Sequence, residues 1–249
     1  MRVANFGRLE SARAKRWHAP CKSREVEQLP VAIPAGRAVL AADLSLPRGA
    51  QGLVVFAHGS GSSRHSPRNR RVAGVLNEGA IGTLLTDLLT ADEEALDLRT
   101  AELRFDIDLL VERLTGVTDW IVNQENLAPL GLGYFGASTG AAAALGAAAV
   151  RREVVQAVVS RGGRPDLAAA ALTRVSAPSL FIVGGEDSAV EQLNRQAIAH
   201  LPAATERRLE IIPGATHLFE EPGALDKVSV LARDWFNRYL KLRGLRASG

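Results

Sequence analysis

Cysteine is almost absent from this chain: Cys21 stands alone among 249 residues. An internal disulfide framework is therefore excluded, and a reducing compartment, by default the cytoplasm, is expected. Long apolar runs are missing too. None approaches the ~20 residues that a membrane span needs, and the first residues lack the apolar h-region of a secretory signal. No cluster with metal-ligand spacing and no P-loop lysine motif occurs, so neither a metal nor another cofactor is expected. Lysine is scarce as well, confined to Lys15, Lys22, Lys227 and Lys241. Arginine carries most of the positive charge.

What remains is an ordinary soluble composition, 47% hydrophobic and 23% charged. The length suits one large domain or two small ones, with room for a substantial core. The formal net charge of +3 is unevenly placed. Arg2, Arg8, Arg13, Lys15, Arg16, Lys22 and Arg24 face Glu10 alone, and the remainder is slightly acidic. Residues 1–24 therefore read as a basic, loose extension and 25–249 as a single domain. A nucleic-acid partner would rest on that extension alone and is not expected, nor is a membrane.

From Glu25 the pattern is strand-like, with a hairpin break at Pro34-Ala35-Gly36 and prolines that favour an edge position for the first strand. Gly52 to Ala57 (GLVVFA), Ala80 to Leu89 (a strand with its turn), the stretch rising to Gly136, Val154 to Val159, Ser179 to Val183 and Arg208 to Ile212 read as further strands. Between them, Pro67 to Glu78, Phe105 to Asn123, the alanine-rich stretch after Gly140, a segment ending at Arg174, Val190 to Leu201 and Pro222 to Arg243 read as helices. Thr90 to Arg104 is acidic and polar, a loop or irregular helix. Strands alternating with helices imply an α/β fold: a mostly parallel central sheet covered on both faces, with an N-terminal antiparallel hairpin and no large lid domain.

The most telling stretch is Gly131 to Val150, GLGYFGASTGAAAALGAAAV. Gly136-Ala137-Ser138-Thr139-Gly140 fits the nucleophile elbow G-x-S-x-G, a sharp strand-to-helix turn that exposes a serine hydroxyl. Glycines on either side suit a place where strand and helix pass too closely for a Cβ. A plain Gly/Ser turn would look the same. Gly131, Gly133 and Gly136 also spell G-x-G-x-x-G, but the strand runs through these glycines instead of preceding them, so a dinucleotide site is rejected.

The loops that follow strands decide the matter, because the ligand crevice of such a sheet lies outside the carboxyl ends of its strands. They hold Ser138, Asp187 and His217, the order nucleophile, acid, base. A serine hydroxyl needs a neighbouring base, His217 can take its proton, and Asp187 would fix the imidazole tautomer. Backbone N–H groups of Ser60 and Thr139 are the candidate oxyanion donors. Alternatives stand beside each assignment. Asp187 also fits a helix cap, and Asp166 is a rival acid. His58 is placed to order the loop after its strand, His200 sits near a helix end, and His65 is ambiguous.

The segments VVFAHGSGSSRHSPRNRRVA, GYFGASTGAAAAL, FIVGGEDSAV and IIPGATHLFEEPGALDKV resemble the α/β-hydrolases of the dienelactone hydrolase-like group, over roughly Gln28 to Leu242. The resemblance implies Ser138 as nucleophile, Asp187 as acid, His217 as base and the Ser60 and Thr139 amides as oxyanion hole. Dienelactone hydrolases carry a cysteine nucleophile, whereas this elbow holds serine. That points to ordinary hydrolysis of carboxylic esters through an acyl-enzyme. An acyltransferase with the same triad, a dienelactone or thioester hydrolase, and a non-catalytic binding protein are the alternatives.

Without a lid, the expected partner is a small, soluble ester, handled by a monomer or homodimer. The loop Ser62 to Arg71 is strongly basic, and arginine forks bind carboxylate or phosphate. Arg64, Arg68 and Arg161 are thus candidates to contact an anionic group on the substrate. The competing expectation is that they pair with the acidic Ala91–Asp97 segment or with Glu220 and Glu221.

Overall fold

The structure is a computed structural model and describes residues 26–244. The basic extension over 1–24, with Cys21, lies outside the described residues. Eight strands form one sheet: β1 (Val26–Ala35), β2 (Ala38–Pro47), β3 (Gly52–Ala57), β4 (Gly82–Thr86), β5 (Gly131–Ala137), β6 (Val155–Arg161), β7 (Ser179–Gly184) and β8 (Arg207–Ile212). Their spatial order is β1-β2-β4-β3-β5-β6-β7-β8. β2 pairs antiparallel with β1 and β4, and every other pairing is parallel.

The hairpin turns one residue later than expected, at Gly36-Arg37, with Ala35 opposite Ala38. Gly36 has a φ of +64° while Arg37 does not enter the left-handed region, the pattern of a type II′ turn. Pro30 and Pro34 remain inside β1, which the edge position tolerates because an outward-facing N–H is not missed there.

Helices cover both faces. α1 (Pro67–Glu78) and α7 (Ala224–Tyr239) lie on one, and α3 (Ile107–Val122), α4 (Thr139–Val150) and α6 (Ser188–Ala199) lie on the other. The central strands are buried on both sides, which accounts for their unbroken apolar runs. Leu53, Val55 and Ala57 of β3 join the core beneath α3 and α4, while Val54 and Phe56 join the core beneath α1 and α7. No helix among the described residues is long and apolar enough to cross a membrane.

Three elements differ from expectation. The polar stretch after Thr90 is a regular helix, α2 (Ala91–Thr100). Its apolar stripe is weak, but a capping box starts it: Glu93 N donates to Thr90 Oγ1 at 3.2 Å and Thr90 N donates to Glu93 Oε2 at 2.8 Å. The helix expected up to Arg174 is a 3₁₀ turn (Pro165–Ala168) followed by a single helical turn, α5 (Ala169–Leu172). α7 is shorter than its amphipathic pattern at both ends: Gly223 adopts a φ of +77° just before it, and Leu240 turns extended just after it.

Candidate active site

β5 ends in a turn that an ordinary sequence could not make. Ser138 has φ 51° and ψ −121°, a sparsely populated region for a residue with a side chain. The glycines on each side allow it. A Cβ on Gly136 would lie 2.4 Å from Ala141 Cα, and one on Gly140 would lie 2.2 Å from the Ala57 carbonyl oxygen. Ser138 is tied to the neighbouring loop through its backbone: its N–H donates to Arg161 O at 3.2 Å, and its carbonyl accepts from Arg164 N at 3.0 Å.

The loops after β7 and β8 are pressed together. A Cβ on Gly184 would sit 2.3 Å from Ala215 O, and Glu186 N donates to that same carbonyl at 2.9 Å. This approach brings Asp187 Oδ2 within 2.6 Å of His217 Nδ1. A carboxylate only accepts, so Nδ1 is the donor, and in the neutral imidazole Nε2 is then the nitrogen with the free lone pair. Asp187 does occupy the N-cap position of α6, yet its side chain makes no capping bond. The rival Asp166 spends both oxygens on Arg164, at 2.9 and 2.7 Å. Thr216 N and Oγ1 donate to Glu221 Oε1 at 3.0 and 2.5 Å, which anchors the chain just before His217.

Ser138, His217, Ser60 and Thr139 line one cleft of about 290 Å³. Thr139 opens α4, so its N–H has no partner within the helix. Ser60 differs from expectation: its N–H is already used, donating to Thr139 Oγ1 at 2.9 Å. His58 is fully engaged in ordering that loop. Its Nε2 accepts from Leu88 N at 3.1 Å and its Nδ1 bonds Gly59 O at 3.0 Å. Burial pushes its pKa below the usual 6.5, a change the Gly59 bond and nearby acids only partly oppose.

The arginines fare unequally. Arg64 does not line the cleft; its guanidinium and backbone N–H are both held by Asp87 at the end of β4, with Asp43 nearby at 3.7 Å. Arg68 lines the cleft and pairs with exposed Glu220 at 2.9 Å, as the competing expectation had it. Arg161 lines the cleft, is only 7% exposed, and has no acceptor for Nε and Nη1 among the described residues. Desolvation, with a smaller push from Arg68, lowers its pKa to about 10. The start of α1 also enters the cleft through Ser66 and Asn69. The Ser66-Pro67 pair, a cap followed by proline at the first helical position, was the available signal.

The family model described as the dienelactone hydrolase family matches residues 91–242, a stretch that holds Ser138, Asp187 and His217. The chain belongs to that family. A crystal structure of dienelactone hydrolase from Anabaena variabilis ATCC 29413 is 56% identical, with a TM-score of 0.84, covering 88% of this chain and 99% of that one. An alpha-beta serine hydrolase homologue from Coxiella burnetii shares 18% identity at a TM-score of 0.67, over 83% of this chain and 96% of that one. That likeness concerns the fold alone, and the fold is that of the α/β-hydrolases. A Mycobacterium tuberculosis H37Rv protein named "Putative phosphoribosyl transferase" is 53% identical over 221 residues, 89% of this chain. This family member spans about half the length of that relative, 47%.

Proposed function

We propose that this member of the dienelactone hydrolase family is a serine hydrolase that cleaves carboxylic esters of small, soluble substrates. The observation that carries the reading is the 2.6 Å bond between His217 and Asp187, beside a strained Ser138 in the same cleft. In the proposed reaction, His217 Nε2 takes the Ser138 proton as Oγ attacks the ester carbonyl. The tetrahedral oxyanion is met by the Thr139 and Ser60 N–H groups. Collapse breaks the ester C–O bond, and His217 returns its proton to the departing alcohol. Water then attacks the acyl-enzyme by the same route, and Asp187 stays ionised throughout. Among the described residues, the Ser138 hydroxyl has no hydrogen bond to His217; such bonds commonly tighten only when substrate arrives.

Two features support hydrolysis by serine over the alternatives. All three side chains of the acyl-transfer set are present, which a non-catalytic binding protein has no need to keep. Phosphoribosyl transfer, by contrast, is the printed name of a relative about twice as long, and the acyl-transfer residues lie in the portion that the two chains share. The test is labelling by a serine-directed fluorophosphonate, followed by a panel of short-chain aryl esters. The label should land on Ser138 and vanish in Ser138→Ala. An unlabelled, inactive wild-type protein overturns the reading, and full activity in Ser138→Ala does so equally.

A further inference from the structure

A charged group is out of balance in the cleft. Arg161 closes β6 directly across from Ala137, the residue before Ser138. Its guanidinium is buried, yet Nε and Nη1 have no acceptor among the described residues. Its recorded neighbours do not repair this. Arg68 carries the same sign, and the Phe219 ring, 5.8 Å from Arg161 Cζ, offers only a weak attraction.

Of the charged groups around it, only Arg68 acts on Arg161, and no carboxylate does. Glu220 holds Arg68, Asp166 holds Arg164 and Asp187 holds His217, while Glu221 holds Thr216 through Oε1 and leaves Oε2 without a partner among the described residues. Among the described residues, no aspartate or glutamate lines the cleft. Burying an unpaired cation is among the costlier things a fold can do, and such a cost in a cleft is a mark of function.

A second positive feature meets the first. α1 is twelve residues long, begins in the same cleft, and has no acidic residue in its first turn. The helix thus supplies no counter-charge of its own to the positive end of its dipole. Arg68, in that turn, also has a buried Nε with no partner among the described residues.

We infer that Arg161, Arg68 and the N-terminus of α1 form a subsite for an anionic group of the substrate, so that the esters this chain prefers carry a carboxylate or a phosphate. The location of the ester itself rests on the serine-hydrolase reading; the binding of the anion does not. Guanidinium forks and helix N-termini both suit planar and tetrahedral oxyanions. The pairing of Arg161 with Ala137 across adjacent strands keeps that anion close to the reacting carbonyl, as part of one small molecule. Arg64, held by Asp87, has no part in it.

Two measurements test this. The first compares kcat/KM for the anionic 4-nitrophenyl monoester of succinic acid, its neutral methyl ester, and a 4-nitrophenyl ester bearing a phosphate on its acyl chain. Wild-type protein should favour a charged ester, and whichever charged arm is faster identifies the anion. The ratio of charged to neutral should fall roughly tenfold to a hundredfold in Arg161→Met, the scale of a lost charge-assisted hydrogen bond. It should recover in part in Arg161→Lys. Arg68→Gln, nearer the rim, should lower the same ratio and serves if Arg161→Met does not fold.

The second measurement is calorimetric binding of succinate and of inorganic phosphate to Ser138→Ala, in which chemistry plays no role. Salt-sensitive binding that is lost with Arg161→Met or Arg68→Gln supports the subsite even if no ester is cleaved. No preference for charged esters, or an unchanged ratio in folded Arg161 and Arg68 variants, overturns it while leaving the hydrolase reading intact. If no ester is cleaved and neither anion binds, both proposals fall.

Discussion

The backbone N–H of Ser60 donates to the hydroxyl of Thr139 at 2.9 Å, joining the glycine-rich loop after β3 to the first residue of α4. In the proposed reaction that same N–H meets the oxyanion, so the threonine must release it as the tetrahedral intermediate forms. An oxyanion accepts more strongly than a neutral hydroxyl, which makes the exchange favourable. Meanwhile the bond holds in place a loop that Gly59 and Gly61 would otherwise leave loose.

Thr139→Val removes the hydroxyl with almost no change of shape at a site only 3% exposed. Stability should drop by about 1 kcal/mol, the net worth of one hydrogen bond. Urea unfolding should show a lower midpoint at unchanged slope, with Thr139→Ser close to wild type. An unchanged midpoint in the valine variant would mean that the bond contributes nothing.

Asp187→Asn keeps the shape of the acid while favouring the wrong imidazole tautomer. By the precedent of serine proteases, kcat on an aryl ester should fall by roughly 10³ to 10⁴. Asp166→Asn, which touches Arg164 and not His217, should cost less than about tenfold, within the usual range for a residue acting at one remove. Equal losses in the two variants would reopen the choice of acid.

His58 gives the fold a dependence on pH. Its folded pKa lies below 6.5, chiefly because it is buried. As pH falls below 6.5 the unfolded chain takes up a proton that the native state refuses. Stability is therefore complete above that value and is lost progressively toward the folded pKa. Denaturant titrations at pH 7.5 and 5.5 should show the decline. His58→Gln, unable to titrate, should flatten part of it, whatever its overall stability.

Two glycines make opposite predictions. Gly140→Ala forces a Cβ to within 2.2 Å of the Ala57 carbonyl oxygen and 2.4 Å of that of His58, and backbone atoms cannot give way as a flexible side chain can. A loss of about 3 kcal/mol or more is expected, with loss of fluorophosphonate labelling. Gly74 lies inside α1 with nothing within 4 Å of its missing Cβ. Gly74→Ala should stabilise by about 0.5–1 kcal/mol, the helix-propensity gain. Thermal unfolding of the two variants reads both signs.

Strands and elbow were legible because the physics that makes them is local. GLVVFA and SLFIV are apolar throughout because both their faces are buried, and Ser138, Asp187 and His217 each follow a strand end. What stayed hidden depended on partners distant in sequence. Charge can be read from the chain, but that Arg64 falls to Asp87 while Arg161 finds no acceptor among the described residues requires coordinates. Likewise nothing in the loop HGSGSS reveals that the Ser60 amide is already occupied. α2 escaped for another reason: its apolar pattern is weak, and its evidence was the cap Thr90 with Glu93, a local signal outweighed by polarity.

The helix behind Ser138 has no side that meets water. From Thr139 to Ala149 every residue is buried, so α4 has no polar face on which to lie at a surface while the rest of the chain assembles. It can be released only when the sheet around it comes apart, and its amide protons should therefore exchange with solvent no faster than global unfolding allows. Ser138 is thus carried by one of the last parts of the protein to open. Any movement that the proposed reaction requires is left to the loops bearing Ser60, Asp187 and His217.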